Sequence, residues 1–216
     1  NMRELSKVFQ GVILAERDGF KLGFDASAGF GAGVKSPEGY LVALWRHECE
    51  RVFCDKLTTH EDKDWGGELI MKLVRDTYGK DMAKEVEERL YFVDFLRDPV
   101  MDAETGEIID ANPSFYESTP NLAHLTDVAM KKQAMFNETS KSMKLELVLF
   151  EDALKHMMRI SRLLCMDRGS ALLIGVGGSG KQSLTRLAAY ISGAFTFQIT
   201  ISKQYNQVAL FEDLKA

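Results

Sequence analysis

The sequence predicts an α/β chain in which a helical N-terminal half passes through a linker into the first β-α-β unit of a parallel sheet. Three observations carry that expectation. Apolar side chains recur at helical spacing through most of the first hundred residues. Three of the four prolines (Pro99, Pro113, Pro120) crowd into one short stretch. Beyond residue 170, two short apolar runs flank a glycine-rich turn and one more helical pattern. With 216 residues, 45% of them hydrophobic and 27% charged, the chain can bury a sizeable core, and its composition is that of an ordinary globular protein.

Residues 2–16 place Leu5, Val8, Phe9 and Val12 on one helical face. Six of the 17 glycines then lie between Gly19 and Gly39, interleaved with Phe20, Phe24 and Phe30, as in a long loop or a hairpin with aromatic anchors. Ser36-Pro37 restarts a helix, because serine caps free amides and proline at the first helical position forfeits no needed N–H. Leu41, Leu44, Trp45, Glu48, Val52 and Phe53 continue that helix to about Leu57. Thr58-x-x-Glu61 has the capping-box pattern and opens a helix carrying Trp65, Leu69 and Leu73, and Asp81–Leu90 forms a third helical stretch. The expected division is thus 1–97 helical, 98–120 linker and 121–216 the α/β part. In the last part Leu122–Lys141 and Leu147–Met166 read as helices. Ala171–Val176 reads as a buried parallel strand, Leu184, Leu187, Ala188 and Ile191 as a helix face, and Thr196–Ile201 as a second strand.

Several function classes fall away. The net charge is −5 and no block of Lys or Arg offsets it, so a nucleic-acid partner bound by phosphate neutralisation is not expected. No apolar run approaches the roughly 20 residues that span a bilayer, so no membrane partner is expected either. The three cysteines, Cys49, Cys54 and Cys165, form no C-x-x-C pair and suit a reducing compartment such as the cytoplasm. Glu4, Glu16 and Asp18 break any signal-peptide pattern, and Asn1 in place of Met suits a fragment of a larger chain. His47-Glu48 begins like H-E-x-x-H, but Arg51 stands where the second histidine belongs, which rejects a zinc hydrolase. His60, His124 and His156 have no companions at ligand spacing, so no metal site is expected; Met157, Met158 and Met166 read as core filler.

The chemistry concentrates in one place. Gly175, Gly177, Gly178, Ser179, Gly180 and Lys181 match the first seven positions of G-x-x-x-x-G-K-[ST], between a predicted strand and a predicted helix. Glycines let successive amides turn inward around an anion, the helix N-terminus adds partial positive charge, and the lysine reaches the outer phosphates. The eighth position departs from the pattern. Gln182 stands where a hydroxyl would hold Mg2+, and Ser183 arrives one residue late, about 100° further around the helix. Gln182 offers only an amide oxygen, a weaker ligand on a longer arm. Nor does any acidic strand end follow, since Glu212 and Asp213 sit in a predicted helix.

Arg168-Gly-Ser-Ala-Leu-Leu-Ile-Gly-Val-Gly-Gly-Ser-Gly-Lys-Gln-Ser-Leu-Thr-Arg-Leu-Ala-Ala189 closely resembles the phosphate loop of the fourth AAA+ module of dynein heavy chains. Leu147–His156 and Arg159-Ile-Ser-Arg162 resemble the helix before that loop, and Phe197–Thr200 its second strand. Met2–Gly11 and Leu44–Leu57 resemble the helical small (lid) subdomain of the third module. The Gly-Lys-Gln-Ser form is similar to axonemal dyneins. The resemblance implies a fragment: a lid subdomain followed by the first β-α-β of a P-loop (AAA+) large subdomain. It further implies ATP or ADP as ligand, Mg2+ with weak support, and Arg3 as a sensor arginine for the preceding module's nucleotide. It places no catalytic residue within this chain. The implied parent is an ATP-driven microtubule motor of the cilium or flagellum axoneme, partnered by the rest of its own AAA+ ring, by intermediate and light chains, and by microtubules through other parts. The loop would then be regulatory or structural, and the isolated fragment inactive. A non-catalytic scaffold with a vestigial P-loop is the alternative.

Overall fold

The computed structural model describes residues 2–22, 34–110, 113–119, 121–140, 144–167, 169–199 and 202–215, with the side chains of the first helix described to Ala15. The glycine-rich stretch expected as a loop or hairpin falls largely outside the described residues. The N-terminal half contains α1 (Met2–Leu22), α2 (Pro37–Cys49) running into a π-helical turn (Glu50–Cys54), α3 (His60–Tyr78) and α4 (Lys80–Glu85). Four short strands follow: β1 (Tyr91–Val93), β2 (Val100–Met101), β3 (Ile108–Asp110) and β4 (Glu117–Thr119). The C-terminal half holds α5 (Leu122–Thr139), α6 (Glu151–Leu164), α7 (Lys181–Ile191) and α8 (Gln207–Asp213).

Caps explain most boundaries. Ser36 caps α2 by accepting from Gly39 N–H at 2.9 Å, with Pro37 at the first helical position as expected. Glu85 completes this helix start from a distance, accepting from Lys35 N–H, Ser36 N–H and the Ser36 hydroxyl at 2.9, 2.8 and 2.8 Å. The cap of α3 is Thr59 rather than Thr58, its hydroxyl accepting from Asp62 N–H at 3.1 Å. α4 stops at Glu85 instead of continuing to Leu90, because Arg46 donates to the Val86 and Glu87 carbonyls and so satisfies the helix-end acceptors from outside. Asn121 caps α5 through His124 N–H.

The helical faces turn differently from the expected stripes. On α3, Trp65, Leu69 and Leu73 are exposed, and the buried face is Gly66, Gly67, Ile70 and Val74. A Cβ on Gly66 would meet the Cys54 Sγ at 2.8 Å, so the glycine lets α3 approach the π-turn. On α1, Phe9 faces solvent while Val8, Gly11 and Ala15 are buried.

The stretch 98–120, expected as a linker, carries three of the four strands. β1 pairs with β4 antiparallel, Phe92 opposite Ser118, and β2 pairs with β3. Successive side chains of β1 point to opposite faces. Phe92 enters the N-terminal core with Leu44, Val74, Val86 and Tyr116, and Val93 enters the C-terminal core with Leu125, Leu154, Met157 and Leu187. The ribbon is therefore a wall shared by both halves.

The parallel β-α-β itself is only partly formed. Ala171–Val176 and residues 196–199 form no helix and join no ladder among the described residues. Leu172, Ile174 and Val176 are 86%, 86% and 79% exposed, the reverse of the burial expected. A buried parallel strand needs neighbours on both edges and cover on both faces, and none of these comes from the described residues. The observed architecture is α/β, mixed helix and small sheet, consistent with part of a larger chain.

Candidate phosphate-binding site

Gly175–Ser183 do come together. Gly178 and Gly180 adopt φ of +79° and +76°, the left-handed region that a side chain would strain. These two reversals fold the loop onto the start of α7. Gly180 is the N-cap of α7 and supplies no side-chain acceptor, which leaves the first amides of the helix available to an anion. A Cβ on Gly177 or Gly178 would meet nothing within 4 Å, so the cradle is open to solvent. Lys181 reaches back across it, its Nζ donating to the Gly175 and Val176 carbonyls at 2.8 and 2.7 Å and to Ser179 Oγ at 3.1 Å. The ammonium is thus held at the mouth of the loop by neutral acceptors that an anionic oxygen would outcompete.

The helix behind the loop is anchored firmly. Leu184, Leu187, Ala188 and Ile191 pack into the core with Leu154, Met157 and Met158 of α6 and Leu125 and Ala129 of α5. Phe136 of α5 meets Tyr190 of α7 edge-on at 5.3 Å. Gln182 is exposed in the first turn of α7. No group of three or more His, Cys, Asp or Glu able to hold a metal occurs among the described residues. Asp213, on α8, accepts from the Tyr205 hydroxyl at 2.7 Å.

Other expected residues lie elsewhere. Arg3 is exposed in the first turn of α1, a helix that packs on α2, the π-turn and β4, whereas α7 packs on α6 and α5. His47 is buried against Tyr91 and Phe92, and that burial, with Arg51 nearby, pushes its pKa well below the usual imidazole value. Burial, followed by the Glu48 charge, pushes the Cys49 thiol up to about 12, so it is an inert core residue.

One feature beside the loop escaped the periodicity. Leu147–Phe150 was expected inside a helix that runs to Met166, but α6 starts only at Glu151, its cap Phe150 has an extended backbone, and residues 144–149 form no helix. Leu145 and Leu149 are buried, Leu147 is half-buried, and Glu146, Val148 and Phe150 are exposed, a period of two. Leu147 Cδ2 lies 3.6 Å from the place a Gly180 Cβ would occupy, so this segment flanks the loop. In the sequence only Leu145-Glu146-Leu147 alternates, and apolar Val148 and Phe150 hide the rest of the period.

Residues 145–216 match the family model described as "P-loop containing dynein motor region D4". Over all 216 residues the chain is 56% identical to the dynein gamma chain of the flagellar outer arm of Chlamydomonas reinhardtii. It is 39% identical to dynein axonemal heavy chain 5 of Mus musculus and 37% identical to dynein axonemal heavy chain 8 of Homo sapiens, again along its whole length. The chain spans only 5%, 4% and 4% of the lengths of these relatives. A phosphate-loop helix anchored by α5 and α6, a family match over that same part and high identity along the whole chain agree: the chain belongs to the axonemal dynein heavy chains, of which it is a segment.

Proposed function

We propose that Gly175–Ser183 is an ATP- or ADP-binding loop serving as a regulatory or structural nucleotide position in an axonemal dynein heavy chain. The observation that carries this reading is the loop itself: two glycines at positive φ, an uncapped start of α7, and the Lys181 ammonium across the mouth. Backbone amides would hold the inner phosphate oxygens, and Lys181 would exchange its carbonyl partners for the outer ones. Bound Mg2+ would supply charge neutralisation between phosphates, and Gln182 is the residue placed to face it, with Ser183 one step further round. The apolar segment flanking Gly180 is the natural wall for the nucleoside end.

No catalytic residue is assigned within this chain. The parent's activity is ATP hydrolysis coupled to movement along microtubules in the cilium or flagellum, with hydrolysis and force production mainly elsewhere in the ring. Its partners are the rest of the heavy chain's AAA+ ring, intermediate and light chains, and microtubules reached through other parts. Residues 1–97 act as the lid of the preceding module, with Arg3 turned to that module's nucleotide, residues 98–120 as the connection, and 121–216 as the start of the next module.

The test is equilibrium binding of a fluorescent ATP analogue to the full heavy chain, with the occupied sites mapped by cross-linking. Wild type should show label at Gly175–Ser183, and Lys181→Ala should lose it. A wild-type loop that takes no label would leave the loop vestigial and the segment a scaffold.

A further inference from the structure

Among the described residues no strand pairs with segment 144–150, yet Leu145 is buried and its peptide groups need partners. Two side-chain amides of α5 supply them. Asn137 grips Leu145 from both sides of its backbone, Nδ2 donating to the Leu145 carbonyl at 2.9 Å and Oδ1 accepting from its N–H at 2.7 Å. Gln133 donates through Nε2 to the Leu147 carbonyl at 3.4 Å. Gln133 is the weaker member, its Oε1 being buried with no partner among the described residues.

The spacing is a match between two periodicities. Residues 133 and 137 are one helical step of four apart, about 6.0 Å along the axis. Residues 145 and 147 are two strand positions apart, about 6.7 Å. Helix and segment run antiparallel, so the next step brings the fully buried Ala129 level with Leu149, and both lie in the same core cluster. One face of α5 therefore does the work of a neighbouring strand. It also fixes the register, because a slip by one residue would turn Leu145, Leu147 and Leu149 out to solvent.

Bonding to the N–H and C=O of residue 145 and the C=O of 147 turns the peptide groups of Glu146 and Val148 the opposite way. Neither has a backbone partner among the described residues, and the Val148 side chain is 82% exposed. The segment thus presents an open backbone edge close to the loop, where Leu147 Cδ2 meets the Gly180 position, while Val148 faces solvent.

We propose that Asn137 and Gln133 are positioning residues, whose amides hold residues 145–150 in the one register that offers this open edge to the nucleoside end of the ligand. The inference rests on the reading of the loop as a nucleotide site. Asn137 touches no ligand; it acts through Leu145. Its loss should loosen recognition of the base while leaving the phosphate cradle, which the Gly175–Gly180 loop and the start of α7 build, in place.

The experiment uses the full heavy chain and two probes mapped by peptide mass spectrometry. One is 8-azido-ATP, which on irradiation labels residues beside the base; the other is an ATP acyl phosphate, which labels the amine of Lys181. Asn137→Ala should lower azide labelling of 144–150 by about tenfold with Lys181 labelling changed less than about twofold. Asn137→Asp, which keeps the acceptor and loses the donor, should fall between, and Gln133→Met should cost about two- to threefold. Unchanged azide labelling in Asn137→Ala would overturn the proposal, and so would a parallel fall of both labels, which would make the amide merely structural. If wild type took neither label, the nucleotide reading itself would fail, and the clamp would fall with it.

Discussion

Glu48 is a fully buried charge at which the two halves of the chain meet, and replacing its partner should be the most damaging single polar change. Its side chain is fully buried in α2. Arg162 of α6, 10% exposed, donates to it through Nη2 and also through Nε at 3.0 Å, and the Tyr116 hydroxyl donates to the other carboxylate oxygen. Arg162→Met would leave a carboxylate inside the protein with, among the described residues, only the neutral Tyr116 hydroxyl donating to it. Breaking a buried pair in this way costs about 3–5 kcal/mol. Glu48→Gln should cost less, because a cavity of about 210 Å³ opens beside Arg162, lined also by Asp94, Tyr116 and Asp167, where a stranded guanidinium can find water and acidic company.

The double variant Glu48→Gln/Arg162→Met removes both charges and keeps the shape, so it should recover about half or more of the loss. Urea denaturation followed by tryptophan fluorescence reads this out, since Trp45 is half-buried one turn from Glu48. Additive single effects, or a cost for Arg162→Met below about 1 kcal/mol, would refute the argument and reduce the pair to a solvated contact.

Gly11→Ala should destabilise by about 1–3 kcal/mol, because its Cβ would fall 2.0 Å from Glu48 Oε2, a group its own partners hold still; Gly177→Ala, with open space around it, should leave thermal stability unchanged. Glu85, whose pKa is lowered by the backbone N–H of Lys35 and then by Ser36, favours folding above the unfolded carboxyl value of about 4.3. That contribution disappears as pH falls through its lower folded value, so the gap in urea midpoint between wild type and Glu85→Gln should be present at pH 7 and close below about pH 4. Lys181→Ala should abolish nucleotide binding at the loop, and the 216-residue chain alone should show no single-turnover ATP hydrolysis, since an arginine finger supplied by a neighbouring subunit contributes about 10³–10⁵ in rate. Gln182→Thr in the full heavy chain should increase the magnesium dependence of ATP affinity at this loop with little change for ADP; equal dependence in both would remove Gln182 from that role.

What could be read from the residues was what local physics decides. Ser36-Pro37 and the Gly175–Lys181 spacing each specify a conformation within a few residues, and each forms where expected. What depends on distant partners was hidden. The Trp65, Leu69 and Leu73 stripe has good helical spacing but faces out, because Gly66 and Gly67 make the close approach that buries the other side. The 98–120 stretch looked like a linker because strands of two or three residues are too short to show alternation. Leu147–Phe150 was absorbed into the following helix because four apolar or half-apolar residues fit either period; the amides that decide the matter sit on α5, 8 and 14 positions earlier.

These arrangements bear on how strain at the seam could reach the loop. Arg162 lies in the last turn of α6, and two routes lead from there to Gly175–Ser183. The covalent route runs through Ala171–Val176, which has no regular structure and joins no ladder among the described residues, so a displacement of α6 would be absorbed by backbone torsions within it. The packed route runs from α6 to α7 through Leu154, Met157, Leu184 and Leu187, all buried, and close-packed interiors transmit displacement because they cannot be compressed cheaply. The start of α7 is itself half of the proposed phosphate cradle. A shift at Glu48–Arg162 would therefore move the amides and Lys181 relative to Gly175–Gly178, changing the width of the cradle rather than merely its position. Core substitutions at Leu187 should weaken that transmission more than substitutions at Ile174, which is 86% exposed.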